Sequence, residues 1–120
     1  GGVPVSNLIS EERLKEIEER TKFAGGELVK LFGNGSAFYA PAQCAIEMAE
    51  SYLKDKKRVI PSAALCEGEF DINGYFIGVP TVIGSNGIEK ILEFDLTEKE
   101  KNALNNTLDA VKKTVSETKL

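Results

Sequence analysis

The spacing of apolar residues changes period twice along this chain. From Leu14 through Ile17, Thr21, Ala24, Leu28 and Leu31 the steps are three and four residues, the stripe of one helical face. Ser10 followed by Glu11-Glu12 supplies a capping hydroxyl and acidic residues at the positive end of the helix dipole. Gly25-Gly26 interrupts without shifting the phase, which predicts one long helix, or two nearly collinear ones, kinked at the glycine pair. Gly33-Asn34-Gly35 ends it, since turn geometry costs Gly little and Asn tolerates it. A second helix is expected over about residues 38 to 54, with Pro41 in its first turn, where no N–H is missed. Ala45, Ile46, Ala49, Tyr52 and Leu53 make it apolar around much of its circumference, and its small residues suit close packing against another helix or subunit.

The pattern then shortens. Residues 58–66 read as a strand in which Pro61 favours an edge or a bulge. Tyr75 to Val79, Thr81 to Ile83 and Ile88 to Phe94 are β-rich runs, and Asn73-Gly74 and Asn86-Gly87 mark turns between antiparallel strands. The helical period returns at Leu104, Leu108, Val111 and Val115, after a capping box at Thr97-Glu98-Lys99-Glu100. Two helices, a meander and a terminal helix make an α+β domain rather than alternating βαβ.

The chain's 120 residues fit one domain, and 42% apolar with 28% charged residues is ordinary globular usage. A net charge of −4 provides no footprint for nucleic acid. There is no histidine, which removes the commonest general base and the usual partner of a Ser or Cys nucleophile. Two cysteines cannot by themselves supply a tetrahedral zinc set, so no metal site is expected. Cys44 and Cys66 are read as reduced, buried small hydrophobes. No apolar run approaches the roughly 20 residues that span a bilayer. Gly1-Gly2-Val3-Pro4-Val5 carries neither initiator Met nor signal-peptide pattern and reads as a cut start.

Three groups of residues invite a functional reading. Gly33-Asn34-Gly35-Ser36 precedes a helix N-terminus whose free N–H groups could meet an anion, but it lacks the P-loop Lys and reads first as a helix–helix turn. Glu67, Glu69 and Asp71 would share one face if the strand continued, and read first as a charged strand edge. Glu47 and Glu50 read as a solvent face of the second helix, and the basic run Lys54 to Arg58 as a helix-to-strand corner.

A longer set of residues is far more specific. Gly35-Ser36-Ala37-Phe38-Tyr39-Ala40-Pro41-Ala42, then Ile46 and Met48 to Asp55, Lys57 to Pro61, and Gly78 to Gly84 with Asn86-Gly87 resemble the C-terminal domain of NAD-dependent malate dehydrogenases. The subgroup is the lactate-dehydrogenase-like one. Gly2 to Val5, Arg20-Thr21 and Gly25-Gly26-Glu27 also fit, while Cys66 to Asn73 departs from the family's usual Gly-Gln/Glu-Tyr-Gly pattern.

The resemblance implies that the whole chain, 1–120, is a substrate and oligomerisation domain, from a subunit about twice as long with an N-terminal Rossmann domain. It implies that the catalytic histidine and the carboxylate-clamping arginines lie upstream, so that no catalytic residue is present here and the isolated chain is inactive. Ser36 and Ala37 match positions lining the substrate pocket, and Pro41 matches one that packs on the nicotinamide. The implied activity interconverts malate and oxaloacetate with NAD, a step of the tricarboxylic acid cycle, in a cytoplasmic homotetramer without nucleic-acid or membrane partners. An L-lactate dehydrogenase is the nearest alternative, although Ala37 stands where those enzymes commonly have threonine. A non-catalytic, self-associating domain is the alternative of a different class.

Overall fold

The computed structural model describes residues 2–118. The chain divides into two compact units, Gly1–Cys44 and Ala45–Leu120.

The first unit holds a short 3-10 turn, Val5–Asn7, and the helix α1, Glu11–Phe32. Ser10 caps α1 by accepting the Arg13 N–H on its hydroxyl. The helix is a single element through Gly25-Gly26, the first of the two expected forms, and does not divide into two helices. Two glycines within a helix cost about 1 kcal/mol each relative to alanine, which the flanking good helix formers outweigh. Gly33 ends it with φ of 71° and returns its N–H to the Val29 carbonyl. None of the residues of α1 is buried, and Ile17, Phe23, Val29, Leu31 and Phe32 are all exposed.

Helix α2, Tyr39–Leu53, begins in the first unit and ends in the second. Beyond it, β1 (Arg58–Glu67), β2 (Asn73–Gly84) and β3 (Gly87–Ile91) form an antiparallel sheet in the order β1-β2-β3, and α3 (Glu98–Glu117) follows. Here the expected runs at Tyr75 to Val79 and Thr81 to Ile83 are one strand, continuous through Pro80. The Pro80 carbonyl accepts the Leu92 N–H at 2.9 Å, so its nitrogen also points away from β1. Pro80 and Pro61 lie opposite each other in that register, and neither removes a hydrogen bond between β1 and β2.

Strand alternation sends Ile60, Ala64 and Cys66 of β1, and Ile77, Val79, Thr81 and Ile83 of β2, to the interior. Ala64, Cys66, Ile72, Ile77, Val79 and Leu108 form the core, with Phe70, Tyr75, Ile91 and Leu104 packed at its margin. Leu104 and Leu108 of the α3 stripe thus pack on the sheet, while Val115 at its far end is exposed. Cys66 is fully buried, as expected, whereas Cys44 is exposed, contrary to the expectation. Its helix position places it on a face of α2 that nothing within its own unit covers.

The last turn of α2 is tied to the sheet by Ser51. Its buried hydroxyl donates to the Ile83 carbonyl at 2.7 Å and accepts the Arg58 N–H at 3.2 Å. Asp55 and Lys57 take positive φ in the corner, and the Asp55 carboxylate accepts the Ser85 N–H, which lowers its pKa.

Candidate functional site

The turn between α1 and α2 is built by two glycines and three aromatic rings. Gly33 and Gly35 have φ of 71° and 116°, the region that side chains rarely adopt. Between them Asn34 donates its N–H to the Phe32 carbonyl at 2.7 Å. The chain leaves this turn through Ser36 and Ala37, and Phe38 donates its N–H back to Ser36. Phe32, Phe38 and Tyr39 cluster with centroid separations of 4.7 to 6.5 Å, which fixes the end of α1 against the start of α2.

All three predicted site residues lie on this stretch. Ser36 is exposed and its hydroxyl makes no hydrogen bond among the described residues; Ala37 is half-buried. Pro41 sits exposed in the first turn of α2, as expected for a residue without an N–H. The neighbouring amides of Tyr39 and Ala40 have no backbone acceptor among the described residues. The stretch therefore presents a hydroxyl, a small side chain, two free N–H groups and a rigid apolar ring. That set suits the wall of a pocket for an oxygen-rich anion, and contains no group that could move a proton near neutral pH.

The other candidates resolve into structural roles. β1 ends at Glu67, and a 3-10 turn, Glu69–Asp71, replaces the continuing strand that would align Glu67, Glu69 and Asp71. Glu69 accepts the Glu67 N–H at 2.7 Å, which lowers its pKa, and Phe70 and Asp71 both have positive φ. Among the described residues no group of three or more His, Cys, Asp or Glu side chains is placed to hold a metal ion. Glu47 pairs with Arg58, and Glu50 with both Lys54 and Lys56. Hydrogen bonds from the two lysines hold the Glu50 carboxyl down at about 2. The basic corner is thus internally neutralised rather than offered to a polyanion.

One pair was not singled out for a role by its spacing. Arg20 donates two hydrogen bonds to Glu27, at 3.2 and 3.0 Å, two helical turns along α1. These bonds raise the Arg20 pKa and lower that of Glu27. A concavity of about 890 Å³ lies beside the pair, lined by Phe23, the glycines, Lys30 and Leu31 among others. The available signal was a seven-residue separation, two helical turns, which puts opposite charges on one face.

Known proteins give the family. Residues 2–119 match the family described as lactate/malate dehydrogenase, alpha/beta C-terminal domain, and the chain belongs to that family. Among its relatives, malate dehydrogenase 1 of Anaeromyxobacter dehalogenans is 55% identical over 99% of this chain and 38% of its own length. The malate dehydrogenase of Rhodopirellula baltica is 53% identical over 97% of this chain and 37% of its own. In three dimensions, the malate dehydrogenase of Salinibacter ruber superposes with a TM-score of 0.93 at 46% identity, over 99% of this chain and 39% of that one. The lactate dehydrogenase of Cryptosporidium parvum gives 0.88 at 43% identity, over 94% and 39%. The chain therefore spans under two fifths of these relatives' length, a larger difference than the twofold one expected.

Proposed function

We propose that this chain is the substrate-side domain of a malate dehydrogenase that interconverts malate and oxaloacetate with NAD. The observation that carries this reading is the 55% identity to a malate dehydrogenase along 99% of the chain, which includes the Ser36 to Pro41 stretch. In it, Ser36, Ala37 and the free amides at the start of α2 form one wall against the dicarboxylate, and Pro41 packs on the nicotinamide. NAD supplies the hydride chemistry when bound, held mainly by residues outside this chain. Within these 120 residues there is no histidine to shuttle the proton, so the chain alone does not turn over substrate.

The small side chain of Ala37 is the feature that leaves room for substrate. In the intact subunit, Ala37→Phe should raise KM for oxaloacetate with unchanged thermal stability; unchanged kinetics would remove the role. An oxaloacetate/NADH assay of the chain by itself should show no turnover, and measurable turnover would overturn its inactivity. An L-lactate dehydrogenase is the second reading, favoured by the likeness to the Cryptosporidium parvum enzyme. Pyruvate and oxaloacetate offered to the intact subunit separate the two. Assembly as a homotetramer is the accompanying proposal, and the exposed apolar side chains of α1 support association between copies.

A further inference from the structure

The sequence holds three Asn-Gly steps, Asn34-Gly35, Asn73-Gly74 and Asn86-Gly87, and the fold treats them differently. Asn86 lies in the β2–β3 turn. Its side-chain amide donates to Glu89 at 3.3 Å, and Gly87 is paired with Gly84 in the ladder. Asn73 is paired with Glu67, and the residue after Gly74, Tyr75, is paired with Cys66, so the ladder holds the chain on both sides of the unpaired bulge residue Gly74. Asn34 has neither restraint. It is exposed, lies outside helix and strand, and its side chain makes no hydrogen bond among the described residues. The following amide, the Gly35 N–H, likewise has no acceptor among the described residues, and Gly35 carries no Cβ to obstruct it.

We propose that Asn34 is a site of spontaneous deamidation and isomerisation, and the reactive one of the three in the folded protein. The Gly35 backbone nitrogen, losing its proton to solvent base, attacks the carbonyl carbon of the Asn34 side-chain amide. A new N–C bond closes a five-membered succinimide, the bond from that carbon to the amide nitrogen breaks, and ammonia leaves. One water molecule then opens the ring at either carbonyl, giving aspartate or isoaspartate. Nothing is oxidised or reduced, and water is the only co-reactant. The two clamped steps cannot easily rotate into the geometry of attack, because rotation breaks ladder pairs or the Asn86–Glu89 bond.

Resting on the proposed substrate wall, the modification places a carboxylate two residues from Ser36 and so weakens binding of a dicarboxylate. The chemical step does not depend on that role, and the two are read separately. Incubation of the purified protein at mildly alkaline pH, followed by peptide mapping with mass spectrometry, reports each asparagine. The peptide holding Asn34 should gain the amide-to-acid mass difference and split into two isomers, several-fold faster than those holding Asn73 and Asn86. In denaturant the three rates should converge. Gly35→Ala should slow the reaction at Asn34 several-fold, and Asn34→Gln should abolish it where the alanine variant folds poorly. Equal rates in the folded protein, or a faster rate at Asn86, would overturn the proposal. Unchanged oxaloacetate KM in the converted intact subunit would overturn only the consequence for binding.

Discussion

Ser51 shows how a single hydroxyl can hold a junction between a helix and a sheet. It is fully buried, and it serves as donor to Ile83 and acceptor for Arg58 at once. Ser51→Ala removes the buried hydroxyl that these two backbone groups share, and should cost about 1–3 kcal/mol in thermal or urea denaturation. Glu50, one residue earlier in α2, makes a pH-dependent contribution of known sign. Its pKa falls from 4.5 to about 2 on folding, so its contribution is present above 4.5 and is lost as the pH falls towards 2. The melting-temperature difference between the native protein and Glu50→Gln should therefore shrink across that interval. Added salt should reduce it too, since the carboxylate and its lysines are exposed.

Helix α3 was legible from its letters because its signals are local. Thr97 accepts the Glu100 N–H while the Glu100 side chain accepts the Thr97 N–H, and this reciprocal cap starts the helix where the sequence places it. Thr97→Ala should cost about 0.5–2 kcal/mol by the same denaturation measurements. Strand β2 was less legible. A proline within a β-rich run argues for a break, and only the register shows that the nitrogen of Pro80 faces away from β1. The carboxylates after β1 follow the same rule. Their alternate spacing describes one face only while the strand lasts, and the left-handed backbone at Phe70 and Asp71 ends it.

Across the whole molecule the distribution of apolar surface is uneven. The sheet and α3 share a dry core, while α1 buries none of its residues and exposes five large apolar side chains. Apolar area left in water favours association at about 25 cal/mol per Å² covered. Light scattering on the purified chain should accordingly report dimers or larger species that grow with concentration, and a monomer at all concentrations would contradict it. Double substitution of Phe23 and Leu31 by polar residues should lower the apparent mass without reducing helix content.

By itself the sequence determined the α+β class, the order of the elements and both helix caps, because period and capping are written in neighbouring residues. It offered Ser36, Ala37 and Pro41 as site candidates only through resemblance, not through any local chemical signal. Only the tertiary structure decided which residues meet at long range. It paired Glu47 and Glu50 with the basic corner, held Cys66 inside and left Cys44 outside, and ran β2 through its proline. It also separated Asn34 from the two Asn-Gly steps that the sheet restrains. Those outcomes depend on which backbone and side-chain groups find partners far along the chain, and spacing between neighbours carries no record of that.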